Sequence, residues 1–322
     1  MRSSRLGIFL LLTLAVFLTA NCGYYNRIMS RKNLVDGSMA YKERKFDVAE
    51  DLFRRAAERD PKGESEEGRI AQVFLARTLH SKFIGNRQDT SLAERAIVEY
   101  KKALALNKDD QSSYKAVASL YENLNKQDEW RQWVTNRANA ADIKPEYRAE
   151  ALTSLAAKQN TCANEVSDTP ETKKTVQRDG KDVFQFSKPA NEADFQRMKG
   201  CVEEGMRLID QAAALEPDTV KNAGSLNPKS MTDEQLKTTI DTLKPYESVR
   251  SYRASLIIQA SRLAEMEGRN DDRDRLKAEA DKAKADFTAL SDAVKNLQNE
   301  IDARKAAAEE AENANANKAA AK

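Results

Sequence analysis

The side chains with most chemistry to offer are three cysteines, Cys22, Cys162 and Cys201, and one histidine, His80. A metal site needs several such residues at short spacing, as in C-x-x-C or H-x-x-x-H. No such spacing occurs, and a lone histidine on a helix face is ordinarily just a partly buried side chain. Carboxylates are plentiful, with 51 Asp and Glu against 53 Lys and Arg, but they are scattered over amphipathic stretches as solvated faces. There is no glycine-rich phosphate loop and no G-x-S-x-G nucleophile elbow. The sequence therefore reads as non-catalytic and calls for no cofactor and no metal. A formal charge of +2 supplies no field for nucleic acid. Trp130 and Trp133 are aromatics of the kind that anchor interfaces, but Trp130 falls on a packing stripe and reads as core.

The cysteines direct attention to the N-terminus. Arg2 and Arg5 flank the start of an uncharged apolar run, residues 6–20 (LGIFLLLTLAVFLTA). That is the size of a signal-peptide core and short of the roughly 20 residues a spanning helix needs. Behind it, Thr19-Ala20-Asn21-Cys22-Gly23 resembles a lipoprotein processing site, with Cys22 as the lipidated residue. Three fates stay open: lipidation of Cys22, cleavage after Ala20 without lipid, or an uncleaved anchor running to about Tyr25. Each places the rest of the chain outside the cytoplasm, on the periplasmic side of the cell envelope. Tyr24 and Tyr25 then lie at the membrane interface or in plain linker. If Cys22 carries lipid, an even pair of cysteines remains in a compartment that permits disulfides. Cys162 ends one expected helix and Cys201 lies near the start of its antiparallel partner, so a bridge between them is expected; the alternative is two small core residues.

Positioning these residues is a matter for helices. Glycine and proline number only 11 and 7, and Ala, Leu, Glu, Lys and Arg abound. Ala49, Phe53, Ala56, Pro61 follow at spacings of four, three and five, which recur at Ala96, Tyr100, Ala103, Lys108 and at Gly205, Ile209, Ala212, Pro217. Small first and third residues let helices approach, the bulky second fills the groove, and proline stops the ladder. Gly37, Ala40 and Phe46 stand ahead of Ala49 as a matching first helix. Trp130 follows Ala96 by 34 residues, the period of a tetratricopeptide (TPR) unit. The stretch 33–61 (NLVDGSMAYKERKFDVAEDLFRRAAERDP) resembles a TPR unit, and the resemblance extends weakly over residues 30–285. It implies an all-α, TPR-like solenoid of about five helix pairs whose first helices line a partner groove. Carried onto this chain, the groove residues are Leu34, Ser38, Tyr41 and Lys42, then Val73, Arg77 and His80, then Lys115, Ser119 and Glu122.

Three departures from the repeat are expected. An insertion over 164–190 contains Asp179-Gly180 between Val176 and Val183-Phe184, a small β-hairpin. A loose linker spans 218–244. Finally, Leu276, Ala280, Ala283, Phe287, Leu290, Val294, Leu297 and Ile301 form an unbroken 3.5-period seam on a long C-terminal helix. Its second half, 286–305, is a coiled-coil seam left to fold back, to meet a second copy or to meet a partner helix. Residues 306–322 are a low-complexity Ala/Glu/Asn/Lys tail expected to be disordered. Together with the export segment 1–22, these features suggest a scaffold that holds other envelope proteins, with a self-associating or wall-binding structural protein as the alternative.

Overall fold

The computed structural model describes the backbone of residues 3–178 and 180–320 and the side chains of 23–178 and 180–313. Among these the fold is all-α apart from one two-stranded hairpin. Packing divides the chain into two compact units, 1–130 and 131–322.

The first unit holds α1 (Ser3–Lys42), α2 (Phe46–Glu58), α3 (Glu66–Gly85), α4 (Thr90–Leu106), α5 (Gln111–Asn123) and the start of α6 (Gln127–Asn139). The small-bulky-small spacing shapes its core: Ala49, Phe53 and Ala56 of α2 are fully buried, as are Ala96, Tyr100 and Ala103 of α4. Gly37 of α1 is small for a stated reason, since a Cβ there would lie 2.9 Å from the Phe53 ring. Helix starts follow capping chemistry. Ser65 accepts from the Gly68 amide, and Asp110 accepts from the amides of Ser112 and Ser113.

One turn recurs where the first helix of a pair passes into the second. Arg44 (φ 60), Asn125 (φ 55) and Gly268 (φ 75) are left-handed. In each case the next amide bonds back across the turn: Lys45 to Ala40, Lys126 to Tyr121 and Arg269 to Ala264, all at 2.9 Å. These are Schellman ends. The same basic residue then accepts the first hydrogen bond of the following helix, from Ala49, Trp130 and Arg273 respectively. Asp47, Asp128 and Asp271 sit two positions on, in the first turn, where negative charge suits the helix dipole. The pairs α1–α2, α5–α6 and α10–α11 thus share one turn.

The second unit holds the rest of α6, then α7 (Pro145–Ser167), β1 (Lys173–Arg178), β2 (Lys181–Phe186), α8 (Glu192–Ala214), α9 (Asp218–Lys221), α10 (Asp233–Met266) and α11 (Asn270–Ala320). Contacts Glu165–Arg197, Cys162–Cys201 and Gln159–Gly205 run in opposite directions along α7 and α8, so the pair is antiparallel. The hairpin pairs Arg178 with Lys181 and turns at Gly180, whose φ of 73° suits a two-residue connection. Gly205 must be small, because a Cβ would lie 2.6 Å from Leu256.

The linker expected at 218–244 is largely helix. A capping box, Thr232 with Gln235, starts α10, which then runs straight through Pro245. Proline in a helix interior costs about 3 kcal/mol. Leu236, Ile240, Leu243, Tyr246 and Val249 form a buried stripe across it, and each large side chain so buried contributes roughly 1.5–3 kcal/mol. Several such residues outweigh one proline.

Candidate partner-binding site

The first helices of the first unit stand edge to edge, fastened by polar links at their tips and middles. The Tyr41 hydroxyl of α1 lies 2.9 Å from Ser81 Oγ of α3. Arg77 of α3 donates to Ser112 Oγ of α5 at 3.2 Å, and Arg87, just past α3, donates to Asn123 Oδ1 at 2.7 Å. These links make α1, α3 and α5 one continuous surface. Ser38, Val73 and Arg77 are half-buried on these helices, while Lys42, Lys115, Ser119 and Glu122 are exposed. Arg77 also covers the Phe74 ring at 5.4 Å.

Two expected groove residues are half-buried and also pack against neighbouring helices. Leu34 is partly buried against two core clusters, one of Ala56, Ala57 and Ala71 and one of Ala40, Ala49, Phe53 and Leu75. His80 faces α4, its ring edge-on to Tyr100 and Nδ1 3.4 Å from the Tyr100 hydroxyl. Burial, with the nearby Arg87 charge, holds its imidazole below the ordinary value of 6.5. Its ring packs against α4. Tyr41 is partly of this kind too, lying edge-on to Phe46 and Phe74 while its hydroxyl reaches α3.

Behind that surface, Glu50 of α2 is a charge knot that sequence reading passed over. It accepts from Arg54 and from Lys82 of α3, both at 2.8 Å, and from Arg95 of α4. Burial alone would raise its carboxyl, but the hydrogen bonds from Lys82 and Arg54 and the charges of Lys82 and Arg95 carry it below 4.5. Three helices are thereby tied at one oxygen pair. The signal in the sequence was faint: a Glu one position past Ala49 on an otherwise apolar stripe.

In the second unit Cys162 and Cys201 form a disulfide with a Cα separation of 6.1 Å at the base of the hairpin insertion. Arg262 of α10 fastens the same place. It donates to Asn164 and Ser167 at 3.0 Å each and stacks 4.6 Å over the Phe186 ring.

The C-terminal seam is covered from within the chain. Ile257 packs with Ala280 and Ala283, Arg250 donates to the Asp286 carbonyl, and Arg304 reaches Asp233 and the Met231 carbonyl. The run of partners shows α10 and α11 to be antiparallel. Leu290, Val294 and Leu297 are buried, with Phe287 and Ile301 half-buried. The coiled-coil seam read from the sequence is thus folded back within this chain. Of the three fates left open for the seam, folding back is the one seen, and the first half of α10, which had been taken for linker, supplies part of the cover. Past Arg304 the helix continues to Ala320, and its described side chains, 306–313, are exposed.

Cys22, named as the lipidation residue, and the apolar run 6–20 lie outside the residues whose side chains are described. Among the described residues no helix is long and apolar enough to cross a membrane, and no group of three or more His, Cys, Asp or Glu could hold a metal ion.

No family model matches the chain, and no curated protein matches it. Among solved structures, the chain is similar to a tetratricopeptide repeat protein from Parabacteroides merdae, over 84% of this chain and 99% of that one, at 10% identity and a TM-score of 0.32. A likeness of that size carries no weight for function. The TPR-like reading stands on the helix pairs, their small-bulky-small contacts and their shared turns.

Proposed function

We propose that this chain is a non-catalytic interaction scaffold of the bacterial cell envelope, tethered by its N-terminal segment, with the face of α1, α3 and α5 docking a peptide or helix of a partner protein. The observation that carries it is the edge-to-edge fastening of three first helices by Tyr41–Ser81, Arg77–Ser112 and Arg87–Asn123. A surface fixed in this way is pre-organised, so a partner meets it without an ordering penalty in the scaffold. The envelope location is supported by the apolar run behind Arg2 and Arg5, by Cys22 and by a disulfide that needs an oxidising compartment. Lys42, Arg77 and Lys115 favour a partner segment with acidic character.

The alternative, a structural periplasmic protein that self-associates or binds the cell wall, draws less support, because Leu290 and Leu297 of the C-terminal seam are buried within the chain itself.

Cross-linking followed by affinity capture from solubilised envelopes of the native host tests the reading. A stoichiometric partner is expected with the unaltered chain and not with Arg77→Glu combined with Lys115→Glu. In the same cells, a palmitate analogue should label the chain, and Cys22→Ala should abolish the label. Recovery of the same partner by the charge-reversed chain would count against this face.

A further inference from the structure

A recess lies at the foot of the first unit, where α1 emerges from the apolar run. It is a cleft of about 530 Å³ lined by Gly23 and Arg27 of α1 and by the connection from Arg59 to Glu66. That volume is within the ordinary range for small-molecule sites.

The connection is held rigid. Asp60 accepts from the amides of Glu64 and Ser65 and from Ser65 Oγ. The Gly63 amide closes a turn onto the Asp60 carbonyl, with Gly63 at φ 63°. Pro61 and Lys62 therefore form the tip of a fixed loop.

Pairing off the charges leaves a pattern. Asp60 has three donors and is satisfied. Arg27 is matched by Glu67 at 3.5 Å. Arg59 donates to Asn26 and lies 5.8 Å from the Tyr25 ring centre, and its Nε is buried without a hydrogen-bond partner among the described residues. Lys62, Glu64 and Glu66 make no side-chain ion pair among the described residues, while sharing the cleft wall. What remains is two cations beside two carboxylates, the complement of a zwitterion.

Position decides which zwitterion. The cleft begins at Gly23, three residues beyond an apolar run that ends at Ala20. Tyr24 and Tyr25 beside it are 69% and 58% exposed, and such rings suit the headgroup level of a bilayer.

We propose that this cleft holds the headgroup of an amine-bearing phospholipid, its phosphate on Arg59 and Lys62 and its ammonium on Glu64 and Glu66. The proposal rests on the membrane-tethered reading above. A primary ammonium can donate hydrogen bonds to both carboxylates, whereas a quaternary ammonium has no N–H to give.

The test uses the full chain with vesicles of phosphatidylcholine alone, or containing phosphatidylethanolamine, or containing phosphatidylglycerol. Flotation reports tethering, and amide hydrogen exchange over residues 59–66 reports the cleft. The chain should float with all three, but residues 59–66 should be protected at least tenfold only with phosphatidylethanolamine. R59Q combined with K62Q should remove that protection and leave flotation unchanged. Protection with every lipid, with none, or with phosphatidylglycerol alone would overturn the assignment while leaving the tether standing. Equal protection by free phosphoethanolamine added to phosphatidylcholine vesicles would overturn the lipid in favour of a soluble amine phosphate. A chain that floats with no vesicle would overturn both the tether and the lipid occupant.

Discussion

The two units solve the same packing problem by different means. In the first, helices of 13 to 20 residues follow the long α1 and meet through small residues at repeated spacings. In the second, helices of 23, 34 and 51 residues are held by devices that do not repeat: a disulfide, an arginine that spans two elements, and a helix that crosses a proline. A short periodic helix pair buries enough surface when each position is optimised in the same way. A long helix pair with an insertion between its halves needs links specific to its place. The first unit carries a face fastened by polar links, and the second buries its longest apolar stripe.

The largest expected effect breaks this contrast at its least repetitive point. Replacing Cys162 and Cys201 by alanine releases an insertion whose ends are 39 residues apart. Closing a loop of that length contributes about 2–4 kcal/mol. Denaturant unfolding followed separately in each unit should show the loss in 131–322 only. Equal loss in both, or in neither, would mean that the bridge does not hold the second unit.

A somewhat smaller change tests whether the C-terminal seam belongs to its own chain. Leu297→Ala removes a fully buried side chain and should lower stability by about 3 kcal/mol, with no change in oligomeric mass by sedimentation. If the mass falls and stability does not, the seam serves an interface between copies.

The shared turn gives a finer comparison. Gly268→Ala forces a side chain into a left-handed position and should cost about 1 kcal/mol. Arg44→Gly and Asn125→Gly relieve the same conformation and should be neutral to mildly stabilising. Thermal melts of the three variants check the equivalence; a loss at Arg44→Gly would show that its side chain matters more than its backbone.

These turns also show what the sequence made legible. The helix-pair spacings were readable because close approach demands small residues at fixed positions, and Gly37 on a first helix and Gly205 on a second meet Phe53 and Leu256 as that requires. The hairpin was readable from Asp179-Gly180, and the cysteine pair from helix direction. The Schellman turn escaped notice because its left-handed position holds Arg, Asn and Gly in turn, so no residue type repeats. The first half of α10 escaped because Pro245 argued locally against a helix that distant burial imposes, although Thr232-x-x-Gln235 marked its start. Within the proposed docking face, the TPR resemblance implied Leu34 and His80 as groove residues on the first helices. It could not tell the open side from the side facing α2 or α4, because the two lie close together around a helix.

The smallest effect concerns acid. The Glu50 carboxyl lies below its ordinary 4.5 in the folded chain, so its contribution is present above that value and is lost as pH falls through the folded value. Glu50→Gln should therefore flatten the acid limb of stability in the first unit and leave that of the second unchanged, as measured by denaturant midpoints from pH 7 downward.

The docking face itself is tested most directly by site-specific photo-cross-linking in the native host, with the photoreactive residue at Lys42, at Ser119 or, as a contrast on α8 of the second unit, at Glu203, all exposed. Expected is one shared partner captured from Lys42 and Ser119 and only background from Glu203. Capture from Glu203 with none from the other two would contradict a docking face on α1, α3 and α5.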